Sequence, residues 1–136
     1  MYILDTNTII DILRQNRATL IKLDQTLLSG ASLFIITLVY YEVQRGILYA
    51  HATGQAQRFV KLLQNVTTLG VDSSQVLNKA SEIHSELRKN GQTVEDVDIF
   101  VMAVASLRDL TIVTNDPDFL RAAGVIPNLK IEQWPR

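Results

Sequence analysis

The chain has 136 residues, 13 of them basic and 14 acidic, and a formal net charge of −1. This length fits one domain, residues 1–136, and a hydrophobic content of 47% excludes a disordered chain. The absence of cysteine excludes disulfides, thiol nucleophiles and thiolate metal sites. No apolar run reaches the roughly 20 residues of a membrane-spanning helix, and no secretory pattern opens the chain. We therefore expect a cytoplasmic protein without a membrane partner.

The first half of the chain alternates short apolar runs with longer segments of helical spacing. Tyr2–Leu4 is typical of a short buried strand, and a helix is predicted from Thr8 to Leu13. The elements predicted next are a helix marked by leucines at 20, 23, 27 and 28, a strand at 33–37, a helix that carries Glu42, a helix at 54–65 and a strand at 66–71.

The second half continues the same alternation. Residues 72–74 form an N-cap signal before an apolar helical stripe, which Asn90-Gly91 closes as a C-cap. Residues 99–105 are apolar without a break, and their Met and Ala content favours a central helix over a buried strand. Strands are predicted at 111–114 and, at a sheet edge, at 129–131, with a short helix through Ala122 between them. This alternation predicts an α/β fold with a parallel sheet.

Four carboxylates lie where an apolar strand or a core helix meets a turn. They are Asp5, Glu42, Asp98 and Asp116. Ligands of α/β sheets bind at the carboxyl ends of the strands, so convergence of these groups would make an acidic hole for divalent cations. A cluster of hard oxygen ligands suits Mg²⁺ or Mn²⁺. With these four acids neutralised, 13 basic residues would face 10 acids, and the resulting charge of +3 would accept a polyanion.

Two of the acids have an ordinary structural explanation as helix N-caps. Asp5 precedes a helix, and Asp116 precedes Pro117, a residue favoured at the first helical position. Asp118, two residues further on, is expected to be solvated. The crowding of Asp5 with Thr6 and Asn7 at one strand end favours a functional role for that carboxylate.

The other two acids lie on helices. Glu42 can occupy a solvated helix face, paired with Arg45 or Arg14. Asp98 stands directly before the apolar run 99–105, where burial of a carboxylate is costly unless a metal compensates for it. Asp96 is an alternative N-cap of that helix, or a group behind the ligands.

Other catalytic chemistries find little support in the sequence. His51 and His84 are the only histidines, and His84 is expected to be packed on an apolar stripe, so no serine hydrolase triad can be assembled. The six glycines form neither a P-loop nor a dinucleotide fingerprint. Zinc is disfavoured because cysteine is absent and histidine is sparse.

The order of these motifs resembles that of PIN-domain proteins, most closely the VapC-type toxins of bacterial toxin–antitoxin pairs. The matching stretches are Ile3–Asn7, Glu42 with Gly46, residues 91–105 and Thr114–Phe119. The resemblance implies a three-layer α/β/α PIN-like fold with a central, mainly parallel sheet flanked by helices.

The same resemblance implies a Mg²⁺- or Mn²⁺-dependent endoribonuclease. Its catalytic and metal-binding acids would be Asp5, Glu42, Asp98 and Asp116. Thr6 and Thr114 carry over as supporting hydroxyls, and one or two metal positions are possible. Asp98 is preferred to Asp96 because it immediately precedes the apolar helix run. Transfer RNA, ribosomal RNA and messenger RNA all stay open as substrates.

A small antitoxin that blocks the site and a homodimer are also implied as partners. The apolar residues available for an interface, or for the core, include Tyr40, Leu48 and Tyr49. The basic residues available for RNA are Arg14, Arg17, Arg45, Arg58 and Lys61.

Two rival functions belong to other classes. A phosphohydrolase of the haloacid-dehalogenase kind also begins with a strand ending in Asp, but it needs a second acid where this chain has Asn7. The stronger rival is a PIN-like module that binds RNA or protein without cutting.

Overall fold

Five short strands alternate with seven helices in the computed structural model, which describes residues 1–136. The strands are β1 (Tyr2–Leu4), β2 (Leu33–Ile36), β3 (Thr67–Leu69), β4 (Thr111–Val113) and β5 (Lys130–Glu132). The helices are α1 (Thr6–Leu13), α2 (Arg17–Leu28), α3 (Thr37–Ala50), α4 (Thr53–Leu63), α5 (Ser74–Lys89), α6 (Asp96–Arg108) and α7 (Pro117–Ala123).

The strands form one sheet in the order β3-β2-β1-β4-β5, and every pairing is parallel. Helices α1 to α4 pack against one another, and α5 packs on α6, which lies against β2 and β4. The α/β/α architecture expected from the sequence is therefore confirmed. Since the chain leaves β1 towards β2 and β3 and later returns to β4 and β5, the strand order reverses between β1 and β4. A crevice for ligands forms at such a reversal.

Burial explains why the short apolar runs are strands and the longest one is a helix. Residues of β1, β2 and β4 are buried on both faces of the sheet, the pattern of a parallel sheet covered by helices. In α6, residue Ile99 and all of residues 101–105 are buried, as expected of a central helix that is apolar all round. None of the seven helices combines the length and the apolar character needed to cross a membrane.

Four side chains differ from a core assignment. The expectation that His84 is packed is wrong, because α5 buries Ala80, Ile83 and Leu87 and a residue one step after Ile83 is rotated about 100° out of that face. Leu48 and Tyr49 on α3 are exposed, so the core alternative is wrong for them. The same holds for Tyr40, whose ring contacts Phe59 at 5.4 Å between centroids but whose outer face is exposed.

The tail segment, Trp134–Arg136, is fastened across α1 and α2. Trp134 is buried, and the carbonyl oxygen of Pro135 accepts a 2.9 Å hydrogen bond from the hydroxyl of Thr19. The Nε of Arg136 lies 2.9 Å from a carboxylate oxygen of Asp11, and a second nitrogen of the same guanidinium lies 3.3 Å from the other oxygen. The tail segment thereby supplies a partner for a carboxylate that the fold buries.

Removal of the Arg136 guanidinium should destabilise the protein more than removal of an ordinary surface cation. The Asp11 side chain is only 12% exposed, whereas Glu86, the partner of Lys89, is 54% exposed. We expect Arg136→Ala to lower the free energy of unfolding by about 1–2 kcal/mol, because a buried carboxylate loses its partner, and Lys89→Ala to change it by less than about 0.5 kcal/mol. Urea denaturation of both variants measures the difference, and equal effects would contradict this role of the tail segment.

Candidate metal and catalytic site

Two central strands end side by side at the crevice. Asp5 directly follows β1 and Thr114 directly follows β4, and these strands are parallel neighbours. The hydroxyl of Thr114 donates a 2.5 Å hydrogen bond to Oδ2 of Asp5, and both residues are buried. The bond therefore ties a carboxylate to the point where the strand order reverses.

Asp5 is both the N-cap of α1 and a member of the candidate site. Its Oδ1 accepts a 2.8 Å hydrogen bond from the backbone N–H of Thr8, which caps α1. The hydroxyl of Thr8 in turn donates to the carbonyl oxygen of Val113, at 3.0 Å. One hydrogen bond to each carboxylate oxygen fixes its orientation and leaves further lone pairs free for a ligand.

Glu42 reaches the same region from α3. The hydroxyl of Thr6, the neighbour of Asp5, donates a 2.6 Å hydrogen bond to Oε1 of Glu42. The ion pair with Arg45 considered from the sequence is also present, with Nη2 of Arg45 lying 3.5 Å from Oε2 of Glu42. Arg14 lines a small cavity together with Glu42 but forms no ion pair with it. The Glu42 side chain is only 15% exposed, so it is not on a solvated face.

Asp98 and Asp116 come together with a third acid. One carboxylate oxygen each of Asp98, Asp116 and Asp118 lie within 4.8 Å of one another. Asp116 caps α7, and its Oδ1 accepts a 2.9 Å hydrogen bond from the N–H of Asp118. The N–H of Asp116 donates a 3.0 Å hydrogen bond to the hydroxyl of Thr114. This hydroxyl in turn donates to Asp5, so hydrogen bonds connect the two acids.

Asp118 was expected from the sequence to be solvated, but it lies half-buried beside the other acids. Its signal was present in the Asp-Pro-Asp order of residues 116–118. A helix that starts at Pro117 places an N-cap acid and an acid two residues later on the same first turn.

Asp96, the alternative to Asp98, points elsewhere. Asp96 is exposed and lines a shallow cavity between α5 and α6 that also includes His84 and Phe100. It does not serve as the N-cap either, since that position belongs to Glu95, whose side chain makes no capping hydrogen bond. The structure thus turns Asp98, and not Asp96, towards the other acids.

The electrostatics of Asp98 reflect this convergence. Burial raises the pKa of Asp98 from 3.8 to about 7, and the negative charges of Asp116, Asp5 and Glu42 add to the effect, followed by that of Glu95. Near neutral pH a large share of Asp98 is therefore protonated in the cation-free protein. The pKa of Asp5 is also raised by burial, and the hydrogen bonds from Thr114 and Thr8 oppose this rise.

The donor set fits a divalent cation. The atoms that the cluster offers to a ligand are carboxylate and hydroxyl oxygens, and no cysteine exists in the chain. Oxygen donors of this kind suit hard cations better than zinc. The pKa of Asp98 adds a second argument, because a bound cation would stabilise the charged form that burial and neighbouring acids disfavour.

Asn115 is a supporting residue that the sequence motifs did not single out. Its side-chain Nδ2 donates a 3.0 Å hydrogen bond to the carbonyl oxygen of Trp134. Because Asn115 stands between Thr114 and Asp116, the bond anchors the loop of both residues to the tail segment. An amide beside a strand end gave no distinctive signal in the sequence.

The Thr114 hydroxyl should control how well the site holds a cation. We expect Thr114→Val to weaken Mn²⁺ binding roughly tenfold, because Asp5 and the N–H of Asp116 both lose a buried partner, worth about 1–3 kcal/mol. Thr114→Ser keeps the hydroxyl and should bind within about threefold of the original protein. Isothermal titration with Mn²⁺ measures both variants, and equal losses would contradict a specific role of the hydroxyl.

Neutralisation of Asp98 should stabilise the cation-free protein at alkaline pH. Its folded pKa of about 7 exceeds 3.8, so the folded state binds more protons between these values, and stability falls as pH rises through them. We expect Asp98→Asn to gain about 1–2 kcal/mol at pH 8 after allowance for solvent screening, and little at pH 4. Urea denaturation in EDTA measures the gain, with Asp72→Asn as the control. A gain independent of pH would point to packing instead.

Comparisons with known proteins agree with this geometry. The model of the PIN domain family matches residues 2–125 of the chain. None of the curated proteins matches it in sequence.

Among solved structures, VapBC2 from Rickettsia felis bound to a promoter DNA fragment superposes with a TM-score of 0.85 at 22% identity, covering 98% of both chains. DNA-bound VapBC from Salmonella typhimurium gives a TM-score of 0.78 at 23% identity, with 98% of both chains covered. FitAcB from Neisseria gonorrhoeae gives 0.74 at 22% identity over 96% of both chains. With a family match over nearly its whole length and a fold shared with these structures, the chain belongs to the PIN-domain family.

Proposed function

We propose that this protein is a divalent-cation-dependent endoribonuclease and the toxin of a type II toxin–antitoxin pair. The observation that carries the proposal is the convergence of acids from separate elements. Asp98, Asp116 and Asp118 offer oxygens within 4.8 Å of one another, and the hydroxyl of Thr114 links Asp116 to Asp5. Membership of the PIN-domain family and the shared fold with VapBC structures support the same function. A protein with this function would act in the cytoplasm.

The proposed catalytic and metal-binding acids are Asp5, Glu42, Asp98 and Asp116. Asp5 and Asp98 would hold Mg²⁺ or Mn²⁺, and Glu42 and Asp116 would complete the metal positions directly or through water. When bound, the cation would supply a water of lowered pKa and neutralise charge on the scissile phosphate. The hydroxyls of Thr114 and Thr6 would hold two of the carboxylates in place.

The protonation of Asp98 links this chemistry to pH. A carboxylic acid with a pKa of about 7 must release its proton before it can bind a cation, so cation affinity should rise with pH through that range. No side-chain nucleophile is needed, and neither histidine lies among the acids.

We propose an antitoxin as protein partner, because the similar structures include VapBC complexes and a toxin–antitoxin complex from Klebsiella pneumoniae. An apolar cavity of about 290 Å³ between α1, α2 and α4 offers a place for it. Its apolar lining consists of Ile12, Leu20, Leu23, Leu27 and Leu62. Arg58 and Lys61 at its rim would favour an acidic segment in the partner.

A homodimer is the second proposed assembly. Helix α3 exposes Leu48 and Tyr49, and exposed aromatic residues such as Tyr49 are enriched at protein interfaces. The face lies on the helix that carries Glu42, so a dimer would place two candidate sites near one interface.

The nuclease proposal predicts cation-dependent cleavage of RNA that requires Asp5. Purified protein incubated with a mixed RNA pool should cut it in Mg²⁺ or Mn²⁺ and not in EDTA. Asp5→Asn should lower the rate at least a hundredfold, because the carboxylate that both strands position is lost, whereas Asp72→Asn should leave it unchanged.

Equal cutting by the original protein and Asp5→Asn would assign the activity to a contaminant. Absence of both cleavage and Mn²⁺ binding would overturn the metal-site proposal and favour a binding module. Binding of Mn²⁺ without cleavage of the pool would restrict the proposal to a narrow set of RNA targets.

A further inference from the structure

Two arginines flank the acidic site from opposite sides. Arg45 lies on α3, which follows β2 on one side of β1, and Arg121 lies on α7, which follows β4 on the other side. Arg45 pairs with Glu42 at 3.5 Å, and Arg121 pairs with Asp118. Each guanidinium group therefore forms an ion pair with a carboxylate on its own side of the cluster.

These ion pairs are poor candidates for a purely structural role. The side chains of Arg45 and Arg121 are 58% and 60% exposed, and both pairs join residues three apart on one helix. Their carboxylate partners are less exposed, Glu42 at 15% and Asp118 at 32%, so each pair matters while the carboxylate is charged. A cation bound among the acids would neutralise that charge, and the exposed guanidinium groups could then turn to another anion.

Two other arginines are held by groups outside the acid cluster. The Nε of Arg58 donates a 2.7 Å hydrogen bond to the carbonyl oxygen of Leu13, and Arg136 is bound to Asp11. Arg14 lines a small cavity with Glu42 but forms no ion pair with it. Arg45 and Arg121 are the arginines that form ion pairs with acids of the site.

Arg45 also adjoins an exposed aromatic ring. Its guanidinium carbon lies 5.1 Å from the centroid of the Tyr41 ring, and the Tyr41 side chain is exposed. An aromatic face beside a phosphate-binding group is the arrangement on which proteins stack an unpaired base while they hold its backbone. This pairing favours a single-stranded nucleic acid over a double helix.

We propose that Arg45 and Arg121 are two phosphate-binding arms, released from Glu42 and Asp118 when a divalent cation neutralises the cluster. They would then grip backbone phosphates on either side of the scissile bond, with Tyr41 stacking the base next to Arg45. The inference rests on the proposed nuclease function for its substrate. The guanidinium fork matches the geometry of a phosphate. A phosphate would therefore replace the carboxylate, once the cation has neutralised it, as the anionic partner of each arginine.

The arms can be tested by RNA binding alone, independently of cleavage. The probe is a fluorescent single-stranded oligouridylate, titrated by anisotropy at several salt concentrations. The background is Asp116→Asn, which contacts neither arginine directly, and isothermal titration first confirms that it still binds Mn²⁺. Arg45→Ala and Arg121→Ala should each weaken binding roughly fivefold to tenfold in Mn²⁺. Each should also reduce the slope of log K against log salt by about 0.7, the value for one lost phosphate contact on a single strand.

Three further variants separate charge, shape and stacking. Arg45→Lys should keep the salt slope but lose part of the affinity, because the planar fork is gone. Tyr41→Leu should weaken binding about fivefold with no change of slope. Arg108→Ala removes an arginine ten residues after Asp98 on α6, roughly 15 Å along the helix, and should change neither quantity.

In EDTA the arms should stay on their carboxylates, so the loss of RNA affinity caused by Arg45→Ala should fall to less than twofold.

Unchanged salt slopes for both alanine variants in Mn²⁺ would overturn the proposal, as would a loss of affinity of the same size in Arg108→Ala. Bound RNA with normal arm effects but no cleavage by the original protein would contradict the nuclease and leave the arms in place. Cleavage with no arm effects would contradict the arms alone.

Discussion

The hydrogen bond from Thr114 to Asp5 joins the ends of the two central strands, and the candidate site is assembled around it. It can form only because β1 and β4 are parallel neighbours in register, with Leu4 opposite Val113. The same hydroxyl accepts the N–H of Asp116, so one threonine aligns acids from two separate loops. The neighbouring threonines at positions 6 and 8 extend this network to α3 and to the cap of α1.

The network holds groups that repel one another. Burial and mutual repulsion disfavour the charge on Asp98, and the hydrogen bonds at Asp5 oppose the same effect there. Proteins keep such destabilising arrangements where function requires them. The apolar core of α6 and the central strands provides the stability that makes the arrangement tolerable, because it lies directly beneath the acids.

Much of this organisation could be predicted from the sequence, because each acid adjoins an apolar run whose type is clear. Asp5 after Tyr2–Leu4 and Asp98 before residues 99–105 are placed by the elements beside them, and the parallel sheet follows from the alternation of strands and helices. The register between β1 and β4, which decides what Asp5 contacts, is a tertiary property that no local pattern encodes.

The residues that sequence patterns missed have partners far away in the chain or depend on a helix rotation. The partner of Asn115 is a backbone carbonyl in the tail segment, so its residue type carried no signal. His84 lies one position beyond a buried isoleucine, where a stripe of mixed spacing allows two helix faces.

The central place of β1 in the sheet has a consequence for the order in which the protein is made. The first strand to be synthesised must wait for β4, more than a hundred residues later, before its second edge is paired and Asp5 meets Thr114. Domains of this kind fold as units, and long-range pairings are the slow steps. A nascent chain that already contains Asp5 and Glu42 therefore lacks the other half of the acid cluster. The complete acid cluster can therefore form only after β4 and the start of α7 have been synthesised.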